Sequence, residues 1–244
     1  MTAEADYGYD APYALVIFAI IGAAGAVGAI VAWRDGDRHL TAIMSFYAVF
    51  FLGNALSFYY ATRRGKFVVW DSILDGLRLR GDERVLDMGC GRGAVLIAVA
   101  KRLTSGRATG IDLWSTRDQS GNASDVTKRN ASLEGVLDRV AIETGDMRAL
   151  PFADGSFDLI VSSLAIHNIR TNADRAKAVS EAWRVLKPGG RLVIADIRAT
   201  ALYAQTLDAL GATTTRRRLG WRFWYGNPIA ATSLVTASKT AGSA

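Results

Sequence analysis

Between residues 85 and 93 the chain reads Val-Leu-Asp-Met-Gly-Cys-Gly-Arg-Gly, which places Asp87, Gly89, Gly91 and Gly93 at alternate positions where an apolar strand ends. Glycines so spaced let the backbone turn sharply from strand to helix and bring bare amide groups against a ligand that side chains would hold away. That is the chemistry of a nucleotide-cofactor loop. Asp87 narrows the ligand, because a carboxylate beside the loop repels a pyrophosphate and suits a cation such as S-adenosylmethionine (SAM), with its ammonium and sulfonium. The glycines alone leave a dinucleotide open, since Gly89, Gly91 and Ala94 also satisfy G-x-G-x-x-G/A and Asp112 lies at about the spacing of a ribose-binding acid. A second chemical centre is His167, in the stretch Ser162-Ser-Leu-Ala-Ile-His-Asn-Ile. Imidazole, with a reference pKa of about 6.5, is suited to take a phenol, thiol or enol proton near neutral pH.

The order of the segments after the loop separates the two cofactors. Gly110-Ile-Asp112 comes next, then Gly145-Asp146-Met147, then Leu150-Pro-Phe-Ala-Asp-Gly-Ser-Phe-Asp-Leu-Ile-Val161, then Arg184-Val-Leu-Lys-Pro-Gly-Gly-Arg-Leu-Val-Ile194. In this order they resemble the class I SAM-dependent methyltransferases, especially the group that methylates quinones, sterols and other small molecules, over residues 71–239. The resemblance implies SAM as cofactor, with Gly89, Cys90, Gly91 and Gly93 beneath its amino-acid and ribose portion and Asp87 toward the methionine end. It implies that Asp112 accepts the ribose hydroxyls, that Asp146 and the Met147 backbone meet the adenine edge, and that Leu113, Trp114 and Ser162 complete the cofactor contacts. His167 is then the expected catalytic base.

These residues need a scaffold, and the pattern predicts an α/β fold, a seven-stranded Rossmann-like methyltransferase sheet. Strands at 84–88, 107–111, 140–144, 157–162 and 191–197 alternate with helices at 94–103, 124–134, 174–186 and 202–210, which calls for a mostly parallel sheet covered on both faces. The last strand candidates, 213–219 and 231–239, have only a turn-rich link between them and are expected to form an antiparallel hairpin. The polar stretch 114–122 is a candidate for the acceptor pocket, and the four aromatics in Leu219-Gly-Trp-Arg-Phe-Trp-Tyr-Gly226 could line such a pocket, rest at the bilayer interface or form the core of the last hairpin.

Ahead of this domain, residues 13–33 and 40–62 form two uncharged runs joined by Arg34-Asp-Gly-Asp-Arg-His39. A helix of that size is about 32 Å long against a hydrocarbon core of about 30 Å, so the front of the chain is expected to be two transmembrane helices in a tight hairpin. Small residues Gly22, Ala23, Ala26 and Ala29, with Gly53 opposite, allow the helices to approach closely and also make a homodimer possible. Glu4, Asp6 and Asp10, without Lys or Arg among the first ten residues, oppose a cleaved signal peptide. The expected organisation is a membrane hairpin with a basic juxtamembrane segment over 1–66, a SAM-dependent methyltransferase domain over 67–240 and a flexible tail over 241–244.

The 244-residue chain carries a formal net charge of +6. Its cations at Arg63, Arg64, Lys66 and Arg216-Arg-Arg218 suit anionic lipid headgroups, and no nucleic-acid partner is expected. The single cysteine, Cys90, excludes an intrachain disulfide, and no zinc-ligand spacing implies a metal. SAM is a cytosolic metabolite, so the catalytic domain is expected on the cytoplasmic side. The expected activity is methyl transfer from SAM to a small, lipophilic acceptor such as a quinone, isoprenoid or lipid. Two alternatives stay open: a soluble acceptor with the hairpin as tether, and a non-catalytic SAM-binding sensor or scaffold.

Overall fold

The computed structural model describes residues 4–240, and the tail expected at 241–244 lies outside them. Two 23-residue helices, α1 (Pro12–Arg34) and α2 (Arg38–Tyr60), form the hairpin, with Asp37 capping α2 through the Leu40 N–H. Their outer faces are bare: Val49 is 75% exposed and Leu56 71%, where a helix of a protein core would bury such side chains. Gly22 and Gly25 form the seam between the helices, packed so tightly that an added Cβ would meet Leu52 at 2.7 Å and the Ala48 backbone at 2.9 Å. This corrects part of the expected contact. Ala23 is exposed, Ala26 and Ala29 are only half-buried, and Gly53 faces open space. Of the expected small residues, Gly22 serves the tight seam, joined there by Gly25.

The helix does not stop where the uncharged run ends at residue 62. A π-helical turn, Ala61–Gly65, carries α2 directly into α3 (Lys66–Leu77). Gly65 keeps helical dihedrals here, and its missing side chain lets the Arg222 carbonyl press against it. The wider turn changes which face points inward, so that Trp70, Ile73 and Leu74 of α3 pack under the sheet while the apolar face of α2 stays bare.

The basic juxtamembrane segment is also partly neutralised. Lys66 Nζ lies 2.9 Å from Asp10 Oδ2, and Arg63 lies 3.9 Å from Asp6 and over the Tyr9 ring. Asp10 also accepts from Thr62 Oγ1 at 2.9 Å and from the Tyr225 hydroxyl at 2.8 Å. Burial opposes the Asp10 charge, but Lys66 and these hydrogen bonds outweigh it and hold its pKa below the usual carboxylate value. The sign is that of a depressed acid: the node stabilises the fold above the unfolded-state pKa and is lost as pH falls. Lys66→Met, which strands the Asp10 charge, is expected to destabilise the protein by about 3 to 5 kcal/mol. Thermal or chemical unfolding at neutral pH against the wild type checks this.

Past α3 the chain alternates as its hydrophobic pattern requires: β1 (Arg84–Met88), α4 (Ala94–Ala100), β2 (Arg107–Asp112), α5 (Ser124–Leu133), β3 (Val140–Thr144), β4 (Phe157–Ser163), α6 (Asn172–Val185), β5 (Leu186–Asp196), α7 (Thr200–Ala209), β6 (Thr213–Arg218) and β7 (Ser233–Ser238). The strands form one sheet in the order β3-β2-β1-β4-β5-β7-β6. β7 alone is antiparallel, to both β5 and β6, because no helix separates it from β6. Side chains alternate between two cores: Leu159 and Val161 of β4 join α3 and α4, and Ile160 joins α6 and α7. β1 and β4 lie side by side, yet the chain leaves them toward opposite edges of the sheet. The crevice at their carboxyl ends is the topological switch point.

Candidate functional site

The glycine turn between β1 and α4 opens this crevice. Gly89 has φ +73°, and a side chain there would collide with the Ala165 methyl group. Its N–H donates to the Ile111 carbonyl at 2.8 Å, which pins the turn to β2. Gly91 N–H donates to Asp112 Oδ2 at 2.8 Å. Asp112 Oδ1 receives the Trp114 N–H at 2.6 Å and Asn122 Nδ2 at 3.2 Å, so the carboxylate at the end of β2 is held on two sides and keeps acceptor capacity for a ligand. Trp114 takes a left-handed conformation, φ +61°, and ties its indole Nε1 to Thr144 Oγ1 at 2.8 Å. The ring thus reaches from the end of β2 to the end of β3, with Leu113 exposed beside it.

Asp87 stands out electrostatically. It is 2% exposed, and neither carboxylate oxygen has a hydrogen-bond partner. Burial first, and then the charge of Asp112, push its pKa up to about 8. A buried carboxyl without a partner fits a cationic ligand group, and the crowded glycine turn fits a flat, close-lying one. Both features match SAM.

After β3, Asp146 is gripped by Arg148. Nε lies 3.0 and 2.9 Å from its two oxygens, Nη2 lies 2.6 Å from Oδ2, and the Arg148 N–H donates at 2.9 Å. Those bonds are the main cause of its lowered pKa. Met147 packs beneath the site, with its methyl group near Gly89. Two sequence candidates have structural duties instead. Ser162 is buried and donates to the Met88 carbonyl at 2.8 Å, joining β4 to β1. The Cys90 side chain is buried against Gly110, and burial, then Asp87 and Asp112, raise its pKa well above the usual value, so it stays a thiol.

His167 sits on a 3₁₀ turn, Ile166–Asn168, just past β4. Its Nδ1 lies 2.6 Å from Asp196 Oδ1. The geometry is fixed by the backbone: His167 N–H donates to Asp196 Oδ2 at 3.0 Å, and the Tyr203 hydroxyl donates to the same oxygen at 3.1 Å. A fully buried carboxylate beside Nδ1 favours the proton on that nitrogen and leaves the Nε2 lone pair free to act as a base. Asp196 ends β5 next to the end of β4, through the pair Ser163↔Ala195. The sequence reading missed it, although an acid ending a strand was the same signal that picked out Asp112.

The sequence reading also missed the N-terminal wall. Gln119 Oε1 accepts from the Arg92 N–H at 2.8 Å, and Gln119 Nε2 donates to Tyr7 O at 3.2 Å and to Asp10 Oδ1 at 3.3 Å. Arg92 pairs with Asp6 at 2.8 Å. Residues 5–11 and the polar stretch 114–122 therefore close one side of the glycine turn. Of the aromatics at 219–226, Phe223 and Tyr225 are core residues, and Trp221 stacks on Tyr60 at 5.3 Å beside α2.

The strand order and the glycine turn are those of the class I SAM-dependent methyltransferase fold. Residues 86–194 match the methyltransferase domain family. A ubiquinone/menaquinone biosynthesis C-methyltransferase from Ruegeria sp. (strain TM1040) is 35% identical over 127 residues, which make up 52% of this chain and 47% of that protein. The chain thus spans about half the length of the curated relatives it matches. Among solved structures, a geranyl diphosphate C-methyltransferase from Streptomyces coelicolor A3(2) superposes with a TM-score of 0.57 and 18% identity, covering 71% of this chain and 77% of that one. The [4+2]-cyclase SpnF superposes equally well, with a TM-score of 0.57 and 20% identity over 70% of this chain and 82% of its own. Likeness at such identities concerns the fold, and the cyclase is a reminder that the fold alone does not fix the reaction.

Proposed function

We propose that the chain is a membrane-anchored methyltransferase that moves the methyl group of SAM to a small, lipophilic acceptor such as a quinone, isoprenoid or lipid, on the cytoplasmic side. The observation that carries this reading is the unbroken helix through residues 38–77. Its first half bares apolar side chains and its second half packs under the sheet, so the catalytic crevice is tied to an element suited to lipid. Placing a Val49 or Leu56 side chain in hydrocarbon instead of water is favourable by about 1.5 to 3 kcal/mol each. The relatives named above, by their names, act on quinone precursors and geranyl diphosphate, which are lipophilic or carry a lipophilic chain.

In this reading Asp87 faces the methionine ammonium, Asp112 accepts both ribose hydroxyls, Asp146 and the Met147 backbone meet the adenine edge, and Leu113 and Trp114 cover its faces. Gly89, Gly91 and Gly93, with the Cys90 backbone, pass beneath, and Ser162 holds the floor in place through Met88. When bound, SAM supplies a methyl group on a positively charged sulfur. The chain's own part is to align the acceptor, exclude water and accept the acceptor's proton on His167 Nε2.

The test is calorimetric titration of the detergent-purified protein with SAM and, separately, with NADH. SAM is expected to bind and NADH not. Asp112→Ala, which removes two hydrogen bonds to a charged group, is expected to weaken SAM binding about a hundredfold. NADH binding in place of SAM would overturn the cofactor. Turnover supported equally by soluble extract and by membrane extract would overturn the lipophilic acceptor.

A further inference from the structure

A groove of about 410 Å³ runs between α2 and the link that joins β6 to β7. Its volume lies in the usual range for small-molecule sites, roughly 300 to 1,000 Å³. One wall is a stripe of α2 that includes Phe50 and Gly53, and the other is Trp221, Trp224 and Pro228. Its floor is a fixed polar clamp: Asn227 Nδ2 donates to Asn54 Oδ1 at 2.8 Å, and Asn54 Nδ2 donates to the Phe50 carbonyl at 2.7 Å. Asn54 is only 4% exposed, so the amides are satisfied by each other and by backbone, and the walls that remain are apolar.

A second, smaller groove of about 250 Å³ shares Asn227 and continues past Ile229 to Ile197 and Arg198. Those two residues directly follow Asp196, and the Ile197 N–H donates to Asp196 Oδ1 at 2.8 Å. Ile229, at the lip between the grooves, is 94% exposed. Moving that side chain from water into lipid is favourable. The two grooves meet at Asn227, and the second is lined by Ile197 and the exposed Arg198, which come one and two positions after Asp196 in the chain.

We propose that these joined grooves bind the methyl acceptor, with its apolar tail between α2 and Trp221–Trp224 and its polar head at Arg198 and His167. The assignment rests on the membrane-anchored reading and adds to it where the tail lies and what head it carries: a single-tailed amphiphile with a polar or anionic head. Gly53 is the notch in the wall. A Cβ there meets nothing within 4 Å, so a larger side chain is accommodated at the groove wall without disturbing packing.

The experiment uses the full chain in detergent micelles with SAM present, a diazirine-bearing farnesol as photoprobe, and mapping of labelled peptides by mass spectrometry. Label is expected to concentrate on residues 50–57 and 221–228. Gly53→Phe is expected to reduce it there at least fivefold, and Val49→Phe, on the bare face of the same helix, to leave it unchanged, both variants binding SAM as the wild type does. Label spread evenly along the bare faces of α1 and α2, and insensitive to Gly53→Phe, would overturn the groove while leaving membrane anchoring intact. Anchoring itself is read separately by flotation of the wild type with vesicles of phosphatidylethanolamine and phosphatidylglycerol. A chain that stays in the aqueous fraction would overturn both.

Discussion

SAM affinity is expected to rise about tenfold per pH unit between about pH 6 and 8 in the wild type, and to lose this dependence in Asp87→Asn. The cause is the buried, partnerless carboxyl at the end of β1. With its pKa pushed up to about 8, Asp87 is protonated in the free protein at neutral pH. A bound ammonium favours the carboxylate, so binding must expel the proton, at a cost of about 1.4 kcal/mol for each unit below that pKa. Above about pH 8 the ligand's own α-amino group begins to deprotonate, and affinity turns over. Titrations at pH 6.5 in buffers of different ionisation enthalpy should find nearly one proton released by the wild type and none by Asp87→Asn. Proton-neutral binding by the wild type would remove Asp87 from the ammonium site.

The same shift makes a statement about stability. A carboxyl whose folded-state pKa is raised contributes stability that is complete below its unfolded value near 3.8 and is lost as pH rises through about 8. The ligand-free wild type should therefore weaken relative to Asp87→Asn as pH rises from about 6 to 8, and added SAM should reverse that order.

What was legible in the sequence is what local chemistry dictates. The glycine turn, Asp112 at the end of β2 and the alternation of strands and helices each depend on neighbours a few residues away, and the antiparallel β6–β7 pair followed from the missing helix between them. What was illegible depends on distant contacts. Asp196 meets His167 across a separation of 29 residues. Tyr225 meets Asp10 across 215. No local pattern carries either pair. The helix through residues 61–65 escaped notice because Arg63, Arg64, Gly65 and Lys66 read as a polar break, whereas Lys66 and Arg63 are matched by acids that the sequence presents more than fifty positions earlier. Two of the acids that argued against a basic leader, Asp6 and Asp10, are the partners of juxtamembrane cations. The glycine turn and the strand ends around it were thus readable, and the walls that join them to the hairpin were not.

The acceptor side gives the second large effect. His167→Ala is expected to lower kcat by about 10² to 10⁴ while SAM affinity stays within about twofold, if the acceptor presents an O–H, S–H or enol proton. Added imidazole should restore part of the rate, because the deletion leaves room beside a carboxylate that can still accept a hydrogen bond from an imidazole N–H. Asp196 acts through His167 and is a positioning residue. Its carboxylate also receives the Ile197 N–H and the Tyr203 hydroxyl, so Asp196→Asn turns one acceptor oxygen into a donor facing other donors and weakens the fold as well. Stability alone therefore cannot define its role, and a double-mutant cycle can. If Asp196 serves the proton acceptor, Asp196→Asn should reduce kcat strongly in the wild type and hardly at all in His167→Ala, because the step it assists is already gone. Equal losses in both backgrounds, measured as S-adenosylhomocysteine formed with membrane extract, would make Asp196 a packing residue. Full turnover by a folded His167→Ala enzyme would remove the base, leaving alignment within the crevice as the whole of the chain's contribution to methyl transfer.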